Sequence, residues 1–191
     1  MKRASKDTPS SLGHDIALRM NGPTYRALVS HMTRDRNHEQ LAFGRGRPAK
    51  TSAGTIFLVN ELLLPDKADL GEQTSVSIGM TSGAQDYVYS QATQSGSTIV
   101  EFHTHPGDDQ PRLSGVDQYH GYANAQYLCE TVPPPATFAM IVGNRRFESF
   151  DGVIFDRITR QFHPLDRLEV LTRPTRVFSL QEQVPDPSSH S

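Results

Sequence analysis

The chain has 191 residues, of which 36% are apolar and 21% charged, a balance typical of a globular protein with one domain and one full core. The net charge is −2 and there is no long basic run, which argues against a nucleic-acid-binding surface. The single cysteine excludes an intrachain disulfide and favours a reducing compartment such as the cytoplasm, and no segment reaches the roughly 18 apolar residues of a membrane span.

Both ends of the chain are polar and are predicted to be flexible tails. Residues 1–12 are predicted to be disordered and lack the apolar segment of a signal peptide, and residues 173–191 are expected to be a flexible C-terminal tail. Between the tails, residues 13–172 alternate strand-like and helix-like patterns. This alternation predicts a single α/β domain, with a mixed sheet flanked by helices.

The first half of the domain begins with a predicted strand at residues 15–20. Asn21 is a suitable N-cap residue, and the apolar residues after it lie at helical spacing, which predicts a helix over residues 22–35. Two apolar runs, one ending in Gly and one stopped by Pro, and a third candidate segment then predict three further strands. These strands span residues 40–46, 55–64 and 75–80.

The second half of the domain continues the alternation of helix and strand. A helix is predicted at residues 84–93, a buried strand at 97–105, and a helix at 114–130 that ends before the prolines at 133–135. Residues 136–142 and 147–155 are predicted to pair as strands, with a turn at Gly143-Asn144. A last strand is predicted at residues 168–171.

The segment EFHTHPGDDQPRLSGVDQ, residues 101–118, carries the chemistry. Because side chains alternate along a strand, His103 and His105 are expected to point to the same face. Ser114 then begins a helix, and the carboxylate of Asp117 on its first turn can reach back to the strand end. Two histidines and one aspartate provide three ligands and leave the fourth tetrahedral position for water, the arrangement of a catalytic zinc site.

One Zn²⁺ per chain at these ligands predicts hydrolysis of an amide-type bond, because zinc lowers the pKa of water towards about 7. The reaction also needs a carboxylate as general base and a donor for the oxyanion, for which Ser114 is well placed. Simpler interpretations remain open at this point. A His-x-His pair is often incidental, and Ser114 and Asp117 form a common helix cap; the cap and the metal site are compatible.

The motifs HTHP and SGVD resemble those of the JAMM (JAB, or MPN-plus) zinc metalloproteases. The family places a glutamate in a strand that EQLAFGRG, residues 39–46, resembles, with Ala42 in place of the usual first glycine. The strand VNELLLP, residues 59–65, is similar to the next one in the family. The resemblance covers roughly residues 14–160 and implies a curved mixed sheet flanked by helices. It also implies Glu39 as general base and Ser114 as the oxyanion donor.

Other residues compete for these roles. Glu101 shares the strand face of the two histidines, and Glu61 lies in an apolar strand, so both are rivals of Glu39 as the base. The loop PGDDQPRL before Ser114 is one residue longer than the family's usual loop, and its Asp108 and Asp109 are rival ligands, more simply explained as solvated. Cys129 lies late on a predicted helix and is expected to be a packed core residue. His120 lies three residues after Asp117 and is a candidate to contact and orient the metal-binding side chains without binding the metal itself.

The resemblance implies cleavage of a peptide or isopeptide bond after the C-terminal glycine of a ubiquitin-like protein. The tail of such a substrate binds in an extended conformation, with residues 66–97 expected to form one wall of its groove. The compact chain resembles bacterial JAB peptidases that act with activating and conjugating enzymes in antiphage operons. Two alternatives are trimming of a sulfur-carrier protein and a metal-free scaffold. The complete set of five side chains argues against the scaffold: His103, His105, Asp117, Ser114 and Glu39.

Overall fold

A computed structural model of the chain describes Leu12, residues 15–75 and residues 77–180, apart from the side chain of Glu72. This part of the chain forms an α/β domain with a curved mixed sheet flanked by helices, as the sequence predicts. Its strands, in chain order, are β1 (Ile16–Asn21), β2 (Leu41–Lys50), β3 (Thr55–Leu63), β4 (Leu70–Gln73), β5 (Ile78–Met80), β6 (Thr98–His105), β7 (Phe138–Asn144), β8 (Phe150–Asp156), β9 (Gln161–Pro164), β10 (Arg167–Leu171) and β11 (Arg176–Ser179).

Nine of these strands form one sheet in the order β11-β10-β1-β3-β2-β6-β7-β8-β9. The pairs β10–β1, β1–β3 and β6–β7 are parallel, and the other neighbours are antiparallel. β6 therefore lies in the middle of the sheet, where both of its edges are hydrogen-bonded. The strands β4 and β5 form a separate antiparallel hairpin.

The helices among the described residues lie on both faces of the sheet. Asn21 caps the first helix by accepting a hydrogen bond from the Thr24 amide at 2.8 Å, as predicted. None of these helices is both long and apolar enough to cross a membrane. They are α1 (Gly22–Met32), α2 (Ser82–Ser95) and α3 (Gly115–Thr131), and a short 3-10 turn spans Lys67–Asp69.

The sheet separates two apolar cores, and β6 contributes to both. Val100 and Phe102 pack into the core beneath α1, which Leu28 of α1 also enters. Ile99 points to the opposite face and packs in the core beneath α2 and α3, together with Leu128 of α3. Because side chains alternate along a strand, the odd-numbered residues of β6 face α3. Each fully buried Leu, Ile or Phe contributes roughly 1.5–3 kcal/mol to stability, so the face on which each β6 side chain lies is strongly determined.

The predicted turn at Gly143-Asn144 is wrong, because β7 continues through both residues and the turn lies at residues 145–149. A Cβ on Gly143 would lie 2.4 Å from the ring of Phe147. This glycine therefore makes room for a buried aromatic ring. The Asn144 side chain accepts hydrogen bonds from the backbone amides of Arg146 and Glu148 at 3.2 and 3.0 Å, which stabilises the turn after it.

The strand predicted at residues 40–46 is longer than expected, since β2 continues to Lys50. Pairing with β6 ends at Gly46, while pairing with β3 continues to Lys50, so this last part is an edge where Pro48 is tolerated. A Cβ on Gly46 would lie 2.0 Å from the Leu58 carbonyl oxygen. The glycine allows a close approach of two strands and does not end β2.

The ordered domain extends beyond both predicted boundaries. Leu12 is buried, and its carbonyl accepts a hydrogen bond from the Thr55 hydroxyl. Residues 176–179, assigned from sequence to the C-terminal tail, form β11 and pair antiparallel with β10. Residues 1–11 and 181–191 of the predicted tails lie outside the described residues.

Candidate metal centre

The two histidines of the motif lie at the end of the central strand β6 and face α3, as their alternation predicts. In the sheet, His103 is opposite Leu41 of β2 and Val142 of β7. The His103 side chain is buried, and the His105 ring lies next to it with the ring centres 5.2 Å apart. The rigid strand therefore fixes both rings on one face of the sheet.

The N-terminus of α3 brings Asp117 to these rings. The Ser114 hydroxyl accepts a hydrogen bond from the Asp117 amide at 3.1 Å, and Asp117 Oδ2 accepts one from the Ser114 amide at 2.6 Å. Asp117 Oδ1 lies 3.5 Å from His103 Nε2, and Oδ2 lies 3.4 Å from His105 Nε2. The Asp117 carboxylate therefore caps the helix and lies next to both histidine rings at the same time.

The loop before α3 is anchored at two points, which the sequence analysis did not identify. The buried carboxylate of Asp151 on β8 accepts a hydrogen bond from the Leu113 amide at 3.1 Å. Asn144 at the end of β7 donates one to the carbonyl of Asp109 at 3.3 Å. The signal available in the sequence was the presence of polar residues within the apolar strands that follow the metal-binding segment. With these anchors, the longer loop still delivers Ser114 to the strand end.

The donor set fits a metal ion. One nitrogen or oxygen from each of His103, His105 and Asp117 lies within 4.8 Å of the others, so the predicted convergence of these side chains is confirmed. Two ligands about 2.0–2.2 Å from one tetrahedral zinc ion stand about 3.3–3.5 Å apart, close to the two imidazole–carboxylate distances. Neither ring nitrogen of buried His103 has a hydrogen-bond partner among the described residues. A buried ring nitrogen without a partner destabilises the folded chain, whereas a hydrogen-bond partner or a bound metal ion removes this cost.

Electrostatics also favour a cation here. Burial acts to lower the pKa of His103, but the carboxylates of Asp117 and Glu101 outweigh burial and raise the pKa to about 10. Burial acts to raise the pKa of Asp117, yet His103 and His105 hold that pKa well below its usual range. The carboxylates around the histidines therefore create a strongly negative potential, which stabilises positive charge at this position.

Glu39 lies two residues before the start of β2, and it lines the same site as the two histidines and Asp117. Its carboxylate is buried, and Oε1 is 3.9 Å from His105 Nε2. Burial raises the pKa of Glu39 above its usual value, although the nearby His103 and His105 act to lower it. A carboxylate with a raised pKa next to a metal site is suited to accept and return a proton.

The backbone of Glu39 is held from two sides, by contacts that the sequence did not reveal. Its amide donates to the Thr74 carbonyl at 2.7 Å, and its carbonyl accepts from the Gln73 side chain at 2.8 Å, which links it to the β4–β5 hairpin. The next amide, that of Gln40, donates to the hydroxyl of Thr104 at 2.9 Å. Since Thr104 lies between the two histidines on β6, Glu39 has a defined position relative to both.

Two of the rival carboxylates do not reach the point where the three donor atoms converge. Glu61 is exposed on β3 and accepts a hydrogen bond from Arg45, so it is neither buried nor near the cavity. Asp108 is 58% exposed and lies 3.7 Å from His105 Nδ1, on the side of the ring opposite Asp117. Glu101 does face the site, but it approaches Nδ1 of His103 at 3.6 Å.

The remaining candidates have ordinary surroundings. Asp109 is exposed and contributes its carbonyl to the Asn144 hydrogen bond. His120 lines the cavity, but the ring that it contacts is that of Tyr119. Cys129 packs against the core beneath α3, and burial raises the pKa of its thiol, as expected for a packed residue.

A cavity of about 730 Å³ opens in front of the converging side chains. Glu39, both histidines and Asp117 line its floor. One wall comes from the β4–β5 hairpin and the start of α2, within the segment 66–97 that was expected to form it. This wall includes Ser77, Ile78, Gly79, Met80 and Gln85.

No family model matches the sequence, and no curated protein matches it. Among the solved structures to which the chain is similar is the solution structure of protein DSY2949 from Desulfitobacterium hafniense, with 12% sequence identity to this chain and a TM-score of 0.44. The alignment covers 87% of this chain and 97% of that one.

Proposed function

We propose that the protein is a zinc-dependent peptidase or isopeptidase that cleaves after the C-terminal glycine of a ubiquitin-like protein. The observation that carries the proposal is the convergence of His103, His105 and Asp117, within 4.8 Å of one another, beside the buried carboxylate of Glu39. Three ligands of this kind leave a position open for substrate or water, which a structural zinc site does not. The resemblance of the motifs to the JAMM proteases supports the same chemistry.

In this proposal each side chain has one role in amide hydrolysis. His103, His105 and Asp117 would hold a zinc ion, which would supply Lewis acidity and make water nucleophilic at neutral pH. Glu39 takes a proton from the attacking water and returns it to the leaving nitrogen as the C–N bond breaks. Ser114, whose hydroxyl accepts from the Asp117 amide, keeps its own proton to donate to the oxyanion that forms on the carbonyl.

The shape of the cavity supports an extended peptide tail as substrate. β5 pairs with β4, and its other edge is unpaired within the described part of the chain, so it offers backbone groups to an added strand. Ile78, Gly79 and Met80 of β5 line the cavity. A Cβ on Gly79 would meet nothing within 4 Å, so this position leaves room for a substrate. A glycine-rich tail fits such a groove.

The proposed setting is a bacterial ubiquitin-like conjugation system of antiphage defence, in the cytoplasm, with operon-encoded activating and conjugating enzymes as partners. The single cysteine agrees with a reducing compartment. The setting rests on the motif resemblance, whereas the chemistry rests on the geometry of the site.

Zinc content and cleavage, measured on the same samples, test the proposal. The purified chain should contain one zinc by elemental analysis and should cleave a ubiquitin-like protein extended beyond its C-terminal glycine. Asp117→Asn keeps an oxygen acceptor for the helix cap but removes the charge, and should lose both zinc and cleavage. Glu39→Gln should keep zinc and lose cleavage. The matched control is Asp109→Asn, which removes an exposed carboxylate in the loop before α3 and should behave as wild type.

Three results would each contradict a different part of the proposal: the metal, the base or the substrate. A folded wild-type chain that takes up no zinc supports a scaffold instead, and circular dichroism on the same sample verifies the fold. A zinc-loaded chain in which Glu39→Gln cleaves as fast as wild type excludes Glu39 as the base. Cleavage of a linear sulfur-carrier extension without cleavage of a ubiquitin-like fusion would reassign the substrate.

A further inference from the structure

Glu101 is a partly buried carboxylate whose role the proposed mechanism leaves unexplained. It lies two residues before His103 on β6 and projects from the same face of the sheet. Its neighbours across the strands are Phe43 on β2 and Met140 on β7, both apolar. Its side chain is 18% exposed, so a large part of its hydration is lost. A carboxylate in such a place needs a donor or a positive charge nearby.

His103 is the group that meets this need. Oε1 of Glu101 lies 3.6 Å from Nδ1 of His103, and no Arg or Lys forms an ion pair with Glu101 among the residues that the structure describes. The opposite nitrogen, Nε2, lies 3.5 Å from Asp117. The buried ring therefore stands between two carboxylates, one at each nitrogen.

We infer that Glu101 is a positioning residue: its carboxylate, 3.6 Å from Nδ1, would keep the proton of the neutral His103 ring on Nδ1 in the zinc-bound chain and so present the lone pair of Nε2 to the metal. A neutral imidazole carries one proton, and the nitrogen that binds a metal must be the other one. Carboxylates behind a ligating histidine fix its ring and make the metal-binding nitrogen more basic. The inference rests on the proposed metal site and explains why this strand carries a carboxylate on its cavity face.

Asp108 provides an internal comparison. Its Oδ2 lies 3.7 Å from Nδ1 of His105, nearly the distance between Glu101 and His103. It is however 58% exposed, against 18% for Glu101. Water competes for exposed hydrogen bonds and screens exposed charges, so the contribution of Asp108 should be small. We therefore expect Glu101 and Asp108 to have unequal effects on zinc affinity, although they lie at similar distances from their histidines.

Zinc affinity of the full chain, measured by competition with a chelating indicator, tests the inference. Glu101→Leu should weaken zinc binding by about 10- to 100-fold. Glu101→Gln keeps an acceptor for Nδ1–H without the charge and should show an intermediate loss. Asp108→Asn should stay within about threefold of wild type. In the zinc-loaded chain, the Nδ1–H proton of His103 should give a protected NMR signal in wild type and Glu101→Gln, and lose protection in Glu101→Leu.

The outcomes separate this inference from the proposed function. A wild-type chain that binds no zinc would overturn both. A wild-type chain that binds zinc, with equal affinity and an unchanged Nδ1–H signal in Glu101→Leu, would overturn the role of Glu101 and leave the metal site intact. Should the leucine variant fail to fold, Glu101→Gln decides, since wild-type affinity in that variant contradicts the role of the charge.

Discussion

Ser114 and Asp117 cap each other at the start of α3, through hydrogen bonds of 3.1 Å and 2.6 Å between the side chain of each residue and the amide of the other. The same Asp117 carboxylate approaches both His103 and His105. Its orientation is therefore determined by the helix terminus before any metal is bound. The simple interpretation as a helix cap and the functional one describe a single arrangement.

Substitutions of Ser114 separate its cap from its hydroxyl donor. Ser114→Ala should lower the free energy of unfolding by about 1 kcal/mol, whereas Ser114→Gly should lower it by only a few tenths of that, because glycine is a tolerable N-cap. Both remove the proposed oxyanion donor, so kcat should fall by about 10²- to 10³-fold in each. Urea denaturation and steady-state cleavage measure the two effects. A near-normal kcat in the Ser114→Gly variant would show that Ser114 serves only as a helix cap and not as the oxyanion donor.

Glu39 should make the stability of the metal-free chain depend on pH. Its pKa in the folded chain is raised above the usual 4.5, chiefly by burial, so the folded state holds this proton more tightly than the unfolded state. Stability from this group is fully present below pH 4.5 and is lost as pH rises through the higher folded pKa. Glu39→Gln should therefore be more stable than wild type at neutral pH but inactive.

The matched control for Glu39 is Glu130→Gln, which removes an exposed carboxylate at the end of α3. Urea midpoints of the metal-free chains at pH 4 and pH 7.5 give the comparison. The difference between Glu39→Gln and wild type should grow with pH, while that for Glu130→Gln should stay small. A Glu39→Gln variant that is less stable than wild type at pH 7.5 would contradict the argument from burial.

The central part of the site could be predicted because it depends on local rules. Alternation along β6 places His103 and His105 on one face, and a serine followed three residues later by an acidic residue marks the start of α3. Both rules involve residues close together in sequence. The relation of Glu39 to this segment came from the motif resemblance, since no local pattern links positions so far apart.

The contacts that hold these parts together could not be predicted, because they join distant strands. Asp151 and Asn144 anchor the loop before α3 from β8 and β7; a polar residue in a buried strand signals that it has some partner, but nothing in these segments indicates that the partner is this loop. At Gly143-Asn144 a turn preference competed with the burial of Phe147, and packing prevailed. The edge strands β9 and β11 are short and partly polar, so their pattern resembles loops.

Thr104 should matter for the position of Glu39 although it does not line the cavity. Its hydroxyl accepts the hydrogen bond from the buried Gln40 amide at 2.9 Å. Thr104→Val keeps the shape of the side chain but leaves this amide unsatisfied, which should cost about 1–3 kcal/mol of stability. Displacement of Glu39 should also lower kcat, by up to about 100-fold. Thr104→Ser keeps the hydroxyl and should retain most activity; equal kcat in both variants would show that the contact does not position the base.

Asp151 should couple the stability of β8 to metal binding. Its buried carboxylate accepts hydrogen bonds from the Leu113 amide at 3.1 Å and from the Gly152 amide at 2.8 Å. Asp151→Leu keeps the branching of the side chain at Cγ but removes the acceptor of both hydrogen bonds, at a cost of about 1–3 kcal/mol each. Because the first amide belongs to the residue before Ser114, the start of α3 should become more mobile and zinc affinity should fall.

Hydrogen exchange at the Leu113 amide, together with zinc affinity, measures this coupling. Asp151→Asn retains one acceptor oxygen and should give intermediate values of both. Thr137→Val is the control. The buried Thr137 hydroxyl donates a hydrogen bond of 2.6 Å to the carbonyl of Phe155, which lies on β8 like Asp151. That variant should lose stability without losing zinc affinity. Faster exchange at Leu113 with unchanged zinc affinity in Asp151→Leu would show that the loop anchor supports the fold alone.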